Sequence, residues 1–573
     1  MTSSCFLITA LLATFPNKQD RARPDAAGFS IARRGAGVKA TPAPGRGGPP
    51  GKVDASFQRK PQASGRKTAS SWRAGAARRR RSSSADLPAP KPLAEAETEA
   101  AFFRRFLGRR LSLGATPGRA MSRNHRARKP RKEYELSIID WDPAELRGVA
   151  KADDGKTVFV ERAIVGERVR AVARKVNKRY DEARCAQVLR PSPLRAEPAC
   201  PHFGLCGGCS LQHIEPKAQV ALKQRMIEEQ FRRIAGFAPE TVFPPIEGPT
   251  WGYRHRARMS CKAVYGKGAM LGFRERGTGY VANMTQCPIL PPMVSDAILP
   301  LRALIDGMDA RDAIPQVEWA MGDGMLAMSV RHLRPLSDSD LAKLRAFVDD
   351  LSTPEIQAQL WLQPGDESTL RQDHPQGAKE LSYRIDRFGL DLAFSPVEFT
   401  QINRAMNQSM ISRAMELLRP QPGDKALDLF CGLGNFSLPI AKMGALVTGV
   451  EGSAALTARA GQNARRNGLA ERCSFKTANL FDPEQLPREE MAQCGKWLID
   501  PPRDGAFELV KNIDPERGPK RIVYVSCKPA TLARDAQVLS SLGYRCVGAG
   551  AMNMFPHTGH TEAIALFVSD KAP

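Results

Sequence analysis

The sequence Ala-Leu-Asp-Leu-Phe-Cys-Gly-Leu-Gly-Asn-Phe at residues 426–436 is a short apolar strand followed by a tight turn. A helix is predicted directly after the turn. This strand–turn–helix order is typical of doubly wound α/β domains, whose ligands bind at the carboxyl ends of the strands. A lone Gly-x-Gly turn selects no ligand by itself, and its plainest interpretation is a sharp reversal of the chain.

The same alternation of strands and helices continues towards the C-terminus. Further strands are predicted at 447–450, 497–499, 522–525 and 563–568, with a helix at 453–467 and another that begins at Pro529. The C-terminal part of the chain is therefore predicted to be a doubly wound α/β domain.

Two positions near the glycine turn indicate the ligand. The dinucleotide fingerprint requires a third glycine where Ser437 stands, which disfavours NAD. Glu451 lies 19 residues after Gly432 and follows the second strand, where a carboxylate can bind both hydroxyls of a ribose. Together with Asp428, this pattern is typical of an S-adenosylmethionine site.

Cys527 is the candidate nucleophile, because it stands at the end of a predicted strand and just before a helix. The amino end of a helix stabilises a thiolate, so the position predicts a lowered pKa. The alternative is a buried structural thiol. The segment 500–503, Asp-Pro-Pro-Arg, also follows a strand, but an amino-methylating enzyme would carry an aromatic residue in place of Arg503.

Four of the 12 cysteines form a pattern, Cys200-x5-Cys206-x2-Cys209 followed by the distant Cys287. Disulfides are disfavoured, since the composition suggests a cytosolic, nucleic-acid-binding protein. Four thiolates suit either tetrahedral zinc or an iron–sulfur cluster. Because structural zinc usually uses paired Cys-x2–4-Cys knuckles, the spacing favours a [4Fe–4S] cluster.

Upstream of the cysteines, residues 133–190 alternate apolar and polar positions between glycines, which predicts a five-stranded antiparallel barrel. Basic residues beside Tyr180 would suit phosphate contacts and base stacking, or simply face solvent. In the segment 251–258, Trp-Gly-Tyr-Arg-His-Arg-Ala-Arg, aromatic residues alternate with cations, which predicts an RNA-contacting strand.

The formal net charge of +25 is concentrated at the N-terminus, where residues 1–120 hold 23 Lys and Arg against 7 Asp and Glu. This segment lacks apolar periodicity and is predicted to be a disordered basic extension. It could be a transit peptide, but a true start at Met121 is favoured. No apolar stretch reaches the ~18 residues of a membrane span, which excludes an integral membrane protein.

The segments 524–535 and 555–562, together with Phe-Thr-Gln-Ile-Asn at 399–403, resemble the signatures of class I RNA uracil-C5 methyltransferases. The cysteine pattern and the barrel, which is similar to a TRAM domain, narrow the resemblance to the iron–sulfur enzymes that act on bacterial 23S ribosomal RNA. It covers about residues 125–573. One departure is Lys528, where many members carry Asn.

The resemblance implies an OB-like TRAM barrel at 125–190, a central α+β domain with the [4Fe–4S] cluster and RNA contacts at 191–390, and a Rossmann-like methyltransferase domain at 391–573. It assigns Cys527 as the nucleophile that adds to uracil C6, and Glu562 as the base that removes the C5 proton. It also implies positions that contact S-adenosylmethionine, namely Gln401, Phe430, Asn435, Glu451, Asn479 and Asp500.

The expected partner is 23S ribosomal RNA, and the expected protein is a cytoplasmic monomer without membrane association. A tRNA uracil-C5 methyltransferase is disfavoured, since that branch lacks the cluster cysteines. A non-catalytic iron–sulfur RNA-binding protein is disfavoured because pure binding needs neither Cys527 nor Glu562.

Overall fold

A computed structural model of the chain describes residues 132–570, and in this part the strands form four sheets. The predictions for residues 1–120, and for a start at Met121, lie outside the described residues. Among residues 132–570, no helix has both the length and the apolar character required to cross a membrane.

The first sheet has six strands in the order β1-β5-β6-β4-β3-β2. The strands are β1 (Glu133–Ser137), β2 (Asp140–Trp141), β3 (Gly148–Lys151), β4 (Thr157–Glu161), β5 (Arg168–Val176) and β6 (Tyr180–Arg190). It differs from the predicted five-stranded antiparallel barrel because β2 adds a sixth strand and β4 pairs with β6 in parallel. The 11 residues of β6 bond to β5 on one side and β4 on the other, so the last strand returns beside an earlier one.

After the cysteine-rich turn, the chain forms a long helix and then a second six-stranded sheet in the order β12-β11-β10-β9-β7-β8. The elements are α1 (Pro216–Gln230), β7 (Arg256–Val264), β8 (Gly268–Gly272), α2 (Pro292–Asp296), α3 (Ile298–Asp306), β9 (Gln316–Gly322), β10 (Met325–Arg331), α4 (Asp338–Leu351), β11 (Gln357–Gln363) and β12 (Arg371–His374). A π-helical turn, Phe231–Ala235, extends α1.

A two-stranded sheet leads into the C-terminal sheet, which has seven strands in the order β17-β16-β15-β18-β19-β21-β20. The elements are β13 (Ser382–Ile385), β14 (Leu390–Ala393), α5 (Arg404–Leu418), β15 (Lys425–Leu429), α6 (Ser437–Lys442), β16 (Leu446–Glu451), α7 (Ala454–Arg466), β17 (Cys473–Thr477), α8 (Arg488–Gln493), β18 (Lys496–Ile499), α9 (Phe507–Lys511), β19 (Arg521–Ser526), α10 (Pro529–Ser541), β20 (Tyr544–Met552) and β21 (Glu562–Ser569).

The doubly wound α/β prediction is confirmed. Strands β15 to β19 are all parallel to one another, and β21 is inserted between β19 and β20 and runs antiparallel to both. Apolar clusters cover both faces of the sheet, as expected for a sheet with helices on both sides.

Helix α1 belongs to the central part of the chain by sequence, but it packs on the C-terminal sheet. Its buried Ile227, and Phe231 just beyond it, lie in the same apolar cluster as Trp497 of β18 and Phe567 of β21. This packing brings side chains of α1 close to the carboxyl edge of the C-terminal sheet.

Candidate active site

The glycine turn after β15 has the backbone geometry of a ligand cradle. Phe430, Gly432 and Gly434 all have positive φ angles, 65°, 55° and 98°. A Cβ on Gly434 would lie 2.6 Å from Leu438 Cδ1, so the close approach of turn and helix excludes a side chain there. The turn therefore presents its backbone, unobstructed, at the carboxyl end of β15.

Glu451, the last residue of β16, holds this turn in place. Its Oε2 accepts a hydrogen bond from the Gly432 N–H at 3.1 Å, and its Oε1 accepts one from the Ser453 N–H at 2.9 Å. A carboxylate oxygen has two lone pairs, so both oxygens can still accept from a ribose hydroxyl.

Two aspartates lie beneath and beside the turn. Asp428 is fully buried, and its Oδ2 accepts a 2.5 Å hydrogen bond from Ser437 Oγ, while its Oδ1 has no hydrogen-bond partner among residues 132–570. Asp500 directly follows β18. Loss of hydration raises the pKa of each carboxyl to about 7. An unpaired buried oxygen is costly, which fits a group awaiting a polar ligand.

The remaining side chains that the resemblance assigns to the cofactor differ in their exposure and in the hydrogen bonds that they already make within the protein. The amide of Asn435 exchanges hydrogen bonds of 2.9 and 3.0 Å with the amide of Asn407, and it also accepts from Tyr383 Oη at 2.9 Å. Asn479 is exposed, and its Oδ1 accepts from the N–H of Phe481 in the turn after β17. Gln401 is half-buried. The amide of Asn435 is thus largely committed within the protein.

An exposed aromatic ring stands beside the glycine turn. The rings of Phe430 and Phe481 lie 5.6 Å apart, and Phe481 remains 42% exposed. Phe481 could not be recognised from the sequence, because the stretch that contains it has no apolar periodicity.

Strand register brings Cys527 and Glu562 together. In the antiparallel pair β19–β21, Ser526 lies opposite Ala563, so the next pair outward is Cys527 and Glu562. Residues opposite each other in such a pair have Cα atoms about 5 Å apart. Asp500 ends the neighbouring strand at the same edge and raises the pKa of both groups.

The predicted low pKa of Cys527 is wrong. Burial, followed by the charges of Glu562 and Asp500, raises the pKa of its thiol to about 11. Arg503 acts in the opposite direction but is exposed. Two nearby carboxylates and a partly dehydrated site therefore outweigh the amino end of α10, and the resting group is a thiol.

Glu562 is almost completely buried, and its Oε2 has no hydrogen-bond partner in the described part of the chain. Burial and then the charge of Asp500 raise the pKa of its carboxyl to about 8, while Lys223 of α1 acts in the opposite direction. A carboxyl group with a pKa this close to neutrality can exchange a proton during turnover.

The loop 553–561, which leads to Glu562, is held by residues that directly follow Cys209. The N–H groups of Ser210 and Leu211 donate to the carbonyl oxygen of His557 at 2.8 and 2.9 Å. The N–H of Gly559 donates to Ser210 Oγ at 3.0 Å. The cysteine turn and the loop that carries the candidate base are thus hydrogen-bonded to each other.

The segment 251–258 contacts the same loop. The ring of Trp251 stacks on His557 with centroids 3.9 Å apart, and the hydroxyl of Tyr253 donates to the Pro556 carbonyl at 3.0 Å. Tyr253 is only 2% exposed, so its ring is not available to stack on a base. His557 also hydrogen-bonds Gln219 of α1 through its backbone and its ring, consistent with a structural histidine.

The four patterned cysteines line one small cavity, together with Phe273, Met284 and Gln212. All four thiols are free, and burial raises the pKa of each, to about 11 at Cys209 and about 12 at Cys287. Within residues 132–570, no three His, Cys, Asp or Glu side chains converge as ligands of a metal ion.

A group of arginines, here called the arginine cluster, lies between the first sheet and the cysteine turn. Arg162, Arg174 and Arg184 line one open cavity. Arg162 has its pKa lowered by burial and then by the charges of Arg184, Arg195 and Arg276. Only Arg174 of the three cavity arginines is ion-paired within the described residues, to Glu161 at 3.0 Å. The cluster can therefore accept an anion.

Sequence analysis missed Lys223, Gln219 and Asn407, which are buried polar residues around the site. Gln219 and Lys223 are spaced by four residues on the face of α1 that also buries Ile227. A lysine on an otherwise buried helical face was the available signal.

Comparison with known proteins finds similarity to RNA uracil-C5 methyltransferases. A family model described as tRNA (Uracil-5-)-methyltransferase matches residues 332–478. A protein of Bordetella avium named 23S rRNA (uracil(1939)-C(5))-methyltransferase RlmD is 48% identical over 440 residues, which are 76% of this chain and 91% of the relative. A protein of the same name from Acidithiobacillus ferrooxidans is 50% identical over 437 residues, 76% of this chain and 97% of the relative.

One solved structure shares the fold. The tRNA (uracil-54, C5)-methyltransferase of Pyrococcus abyssi, determined in complex with S-adenosyl-L-homocysteine, is 23% identical and superposes with a TM-score of 0.57. The match covers 76% of this chain and 99% of that chain. At this identity the likeness shows a common methyltransferase fold.

Proposed function

Because the chain belongs to the 23S rRNA (uracil-C5)-methyltransferase family, we propose that it methylates C5 of a uridine in 23S ribosomal RNA to give 5-methyluridine. The observation that carries this proposal is the proximity of Cys527 to Glu562: their neighbours Ser526 and Ala563 pair between β19 and β21, and the charge of Glu562 acts on Cys527. Both residues are at the carboxyl end of β19, and the glycine turn follows the carboxyl end of β15 in the same sheet.

The chemistry requires both side chains. Uracil C5 is too weak a nucleophile to take a methyl group unaided. The thiol of Cys527 loses its proton to water, its sulfur bonds to C6, and the electron pair displaced from the C5–C6 double bond makes C5 an enolate carbon. When bound, S-adenosylmethionine would supply the electrophilic methyl group: C5 takes the methyl group as the sulfonium carbon–sulfur bond breaks and S-adenosylhomocysteine leaves. Glu562 then removes the C5 proton, the double bond re-forms and the C6–sulfur bond breaks, which returns the electron pair to Cys527.

The raised pKa values mean that the thiol must lose its proton when the site is occupied. The target base has to leave its stack to reach Cys527. Glu562 and Asp500 disfavour the thiolate while they are charged, whereas Arg503 favours it.

The residues proposed to hold S-adenosylmethionine are Gln401, Phe430, Asn435, Glu451, Asn479 and Asp500. Support comes from the backbone cradle at Gly432 and Gly434, from the carboxylate of Glu451 at its rim and from the unpaired Oδ1 of Asp428 beneath it. Asn435 would contribute mainly through its backbone, since its amide bonds Asn407 and Tyr383.

We further propose that Cys200, Cys206, Cys209 and Cys287 bind a [4Fe–4S] cluster. In such a cluster each cysteine ligates a different iron, so the four thiolates surround a cavity instead of converging on one point. Four free thiols lining one cavity support this assignment, and their raised pKa values are those of thiols without a cation to stabilise the thiolate. The reaction transfers no electron, so the cluster would have a structural role.

The proposed domain boundaries are those of the family, with a TRAM barrel at 125–190, a cluster-bearing domain at 191–390 and a methyltransferase domain at 391–573. The parallel return of β6 beside β4 supports a Greek-key, OB-like barrel. The arginine cluster supports an RNA path across this barrel and the cysteine turn. We propose a monomer that acts on ribosomal RNA in the cytoplasm.

Two other functions are less well supported. A tRNA substrate would fit the description of the matching family model, but it leaves the four-cysteine cavity without a counterpart. A purely RNA-binding protein would not require a thiol and a buried carboxyl at the same sheet edge.

The decisive experiment measures tritium release from unmodified 23S ribosomal RNA labelled with 5-³H-uridine, with S-adenosylmethionine present or absent. Cofactor-dependent release from 23S RNA, with none from equally labelled tRNA, is expected. Release from tRNA alone would transfer the activity to that substrate. No release from either RNA, with cluster-loaded protein, would favour the RNA-binding function.

A further inference from the structure

Lys223 is a buried cation that the proposed chemistry does not use. It lies on α1 and has 0% of its surface exposed. Lysine is almost never fully buried unless a partner compensates its charge. Its partners therefore indicate what the charge is for.

Both hydrogen bonds of the Lys223 ammonium go to the loop 553–561. Its Nζ donates to Asn553 Oδ1 at 2.9 Å and to the carbonyl oxygen of Phe555 at 2.8 Å. The contacts span 330 and 332 residues of sequence, so Lys223 joins α1 to the loop that leads to Glu562.

The carboxyl group that interacts electrostatically with Lys223 is Glu562. In the part of the chain that the structure describes, Glu562 Oε2 has no hydrogen-bond partner. Burial lowers the pKa of Lys223 to about 7, and the charge of Glu562 acts in the opposite direction. Lys223 in turn favours the charged form of Glu562, so each group offsets part of the cost of burying the other's charge.

Other titratable groups around Lys223 do not replace it. Asp500 disfavours ionisation of Glu562. His557 and His560 lie near Lys223, and burial followed by nearby cations, Lys223 among them, lowers the pKa of both. Both imidazoles are therefore neutral at pH 7 and supply no positive charge.

Resting on the proposed function, we propose that Lys223 is the positioning residue of the general base: it fixes the loop 553–561 and provides the counter-charge that keeps Glu562 able to accept the C5 proton. A carboxyl group buried without a counter-charge stays protonated, and a protonated carboxyl cannot accept a proton. In this role Lys223 contacts neither the target uracil nor S-adenosylmethionine.

The proton balance of the step is simple. The C5 proton passes to Glu562, the C6–sulfur bond breaks and the electron pair returns to Cys527. If Glu562 is already protonated, the methylated uracil remains covalently bonded to Cys527. Loss of the Lys223 ammonium group is therefore expected to make the protein–RNA adduct accumulate. This adduct can form only on a folded protein that binds both substrates.

The test is Lys223→Met, assayed in single turnover with S-adenosylmethionine labelled in its methyl group, between pH 6 and pH 9.5. At pH 7 we expect a labelled protein–RNA adduct that survives denaturation, and at pH 9 we expect this adduct to decay to product. We also expect the acidic limb of the pH–rate profile to shift upwards by about one pH unit, which lowers the rate at pH 7 about tenfold. Lys217→Met, which changes an exposed lysine of the same helix, should behave like the parent. Glu562→Gln should hold the adduct at every pH.

A uniform loss of rate at all pH values without adduct would overturn the proposal and leave Lys223 as a structural residue. If Lys223→Met does not fold, Asn553→Ala removes one acceptor of the ammonium and should shift the limb in the same direction by less; an unchanged limb would also overturn it. Failure of the proposed function is distinguishable, because the parent protein would then form no labelled product and Glu562→Gln no labelled adduct.

Discussion

Cys527 and Glu562 are both protonated at rest, because burial raises their pKa values to about 11 and about 8. Each must lose a proton before it can act as nucleophile or base. Resolution of the adduct between Cys527 and the methylated uracil depends on Glu562 alone, so we expect its rate to rise about tenfold per pH unit below the pKa of Glu562. Rapid-quench assays between pH 6 and pH 9 would measure this, and a rate that falls with pH would contradict it.

Cys527→Ala should abolish turnover and adduct formation, since it removes the sulfur that bonds to C6. Binding of S-adenosylmethionine should remain within about threefold of the parent value, because the glycine turn is a separate element. Calorimetry measures the binding and tritium release measures the turnover. Cys473→Ala removes another free, half-buried thiol and should leave both unchanged; retained turnover in Cys527→Ala would refute the assignment.

Residue types and motifs in the sequence were sufficient to select Cys527 and Glu562 as candidates, but not their charge states. A helix terminus is a local feature of the sequence. The charges of Asp500 and Glu562, in contrast, raise the pKa of Cys527 from positions on neighbouring strands. Lys223 was missed for the same reason, because its partners are more than 300 residues away. Long-range electrostatics is not contained in a local motif.

At the scale of elements, the glycine turn gives a sharp prediction. Gly434→Ala combines a φ of 98° with a Cβ placed 2.6 Å from Leu438, so the turn must move. Such strain costs about 1–3 kcal/mol, and we expect cofactor binding to weaken about tenfold or more.

Gly423→Ala is the matched control. Gly423 has a similar φ of 90°, but nothing lies within 4 Å of an added Cβ. Its substitution should lower thermal stability without changing the affinity for S-adenosylmethionine. Equal affinities for the two variants, measured by calorimetry, would show that close packing at Gly434 does not shape the cradle.

Apolar periodicity predicted β15, β16, β18, β19 and β21 within two residues of their observed ends. It missed β17 and β20. Strand β17 lies at the sheet edge and alternates only half-buried and exposed residues. In β20, Gly548 and Gly550 replace apolar side chains because Phe243 packs directly against them, where Cβ atoms would lie 2.3 and 2.8 Å from its atoms. Partners from elsewhere in the chain can thus erase a strand pattern.

At the scale of the whole molecule, the arginine cluster should bind the RNA backbone. Arg162→Ala and Arg184→Ala should each weaken RNA binding and reduce the slope of log K against log salt by about 1. The maximal rate at saturating RNA should not change. Fluorescence anisotropy over a salt series measures this, with Arg387→Ala as a control because Arg387 is already paired with Glu416. An unchanged slope would remove the cluster from the RNA path.

The hydrogen bonds between the cysteine turn and the loop 553–561 have a consequence for protein synthesis. Ser210 leaves the ribosome more than 330 residues before Gly559, its partner. The cysteine turn is therefore synthesised long before the loop 553–561, to which it hydrogen-bonds. A nascent chain therefore contains the cysteine turn, the arginine cluster and the cofactor cradle before it contains Glu562 and the loop that the cysteine turn holds.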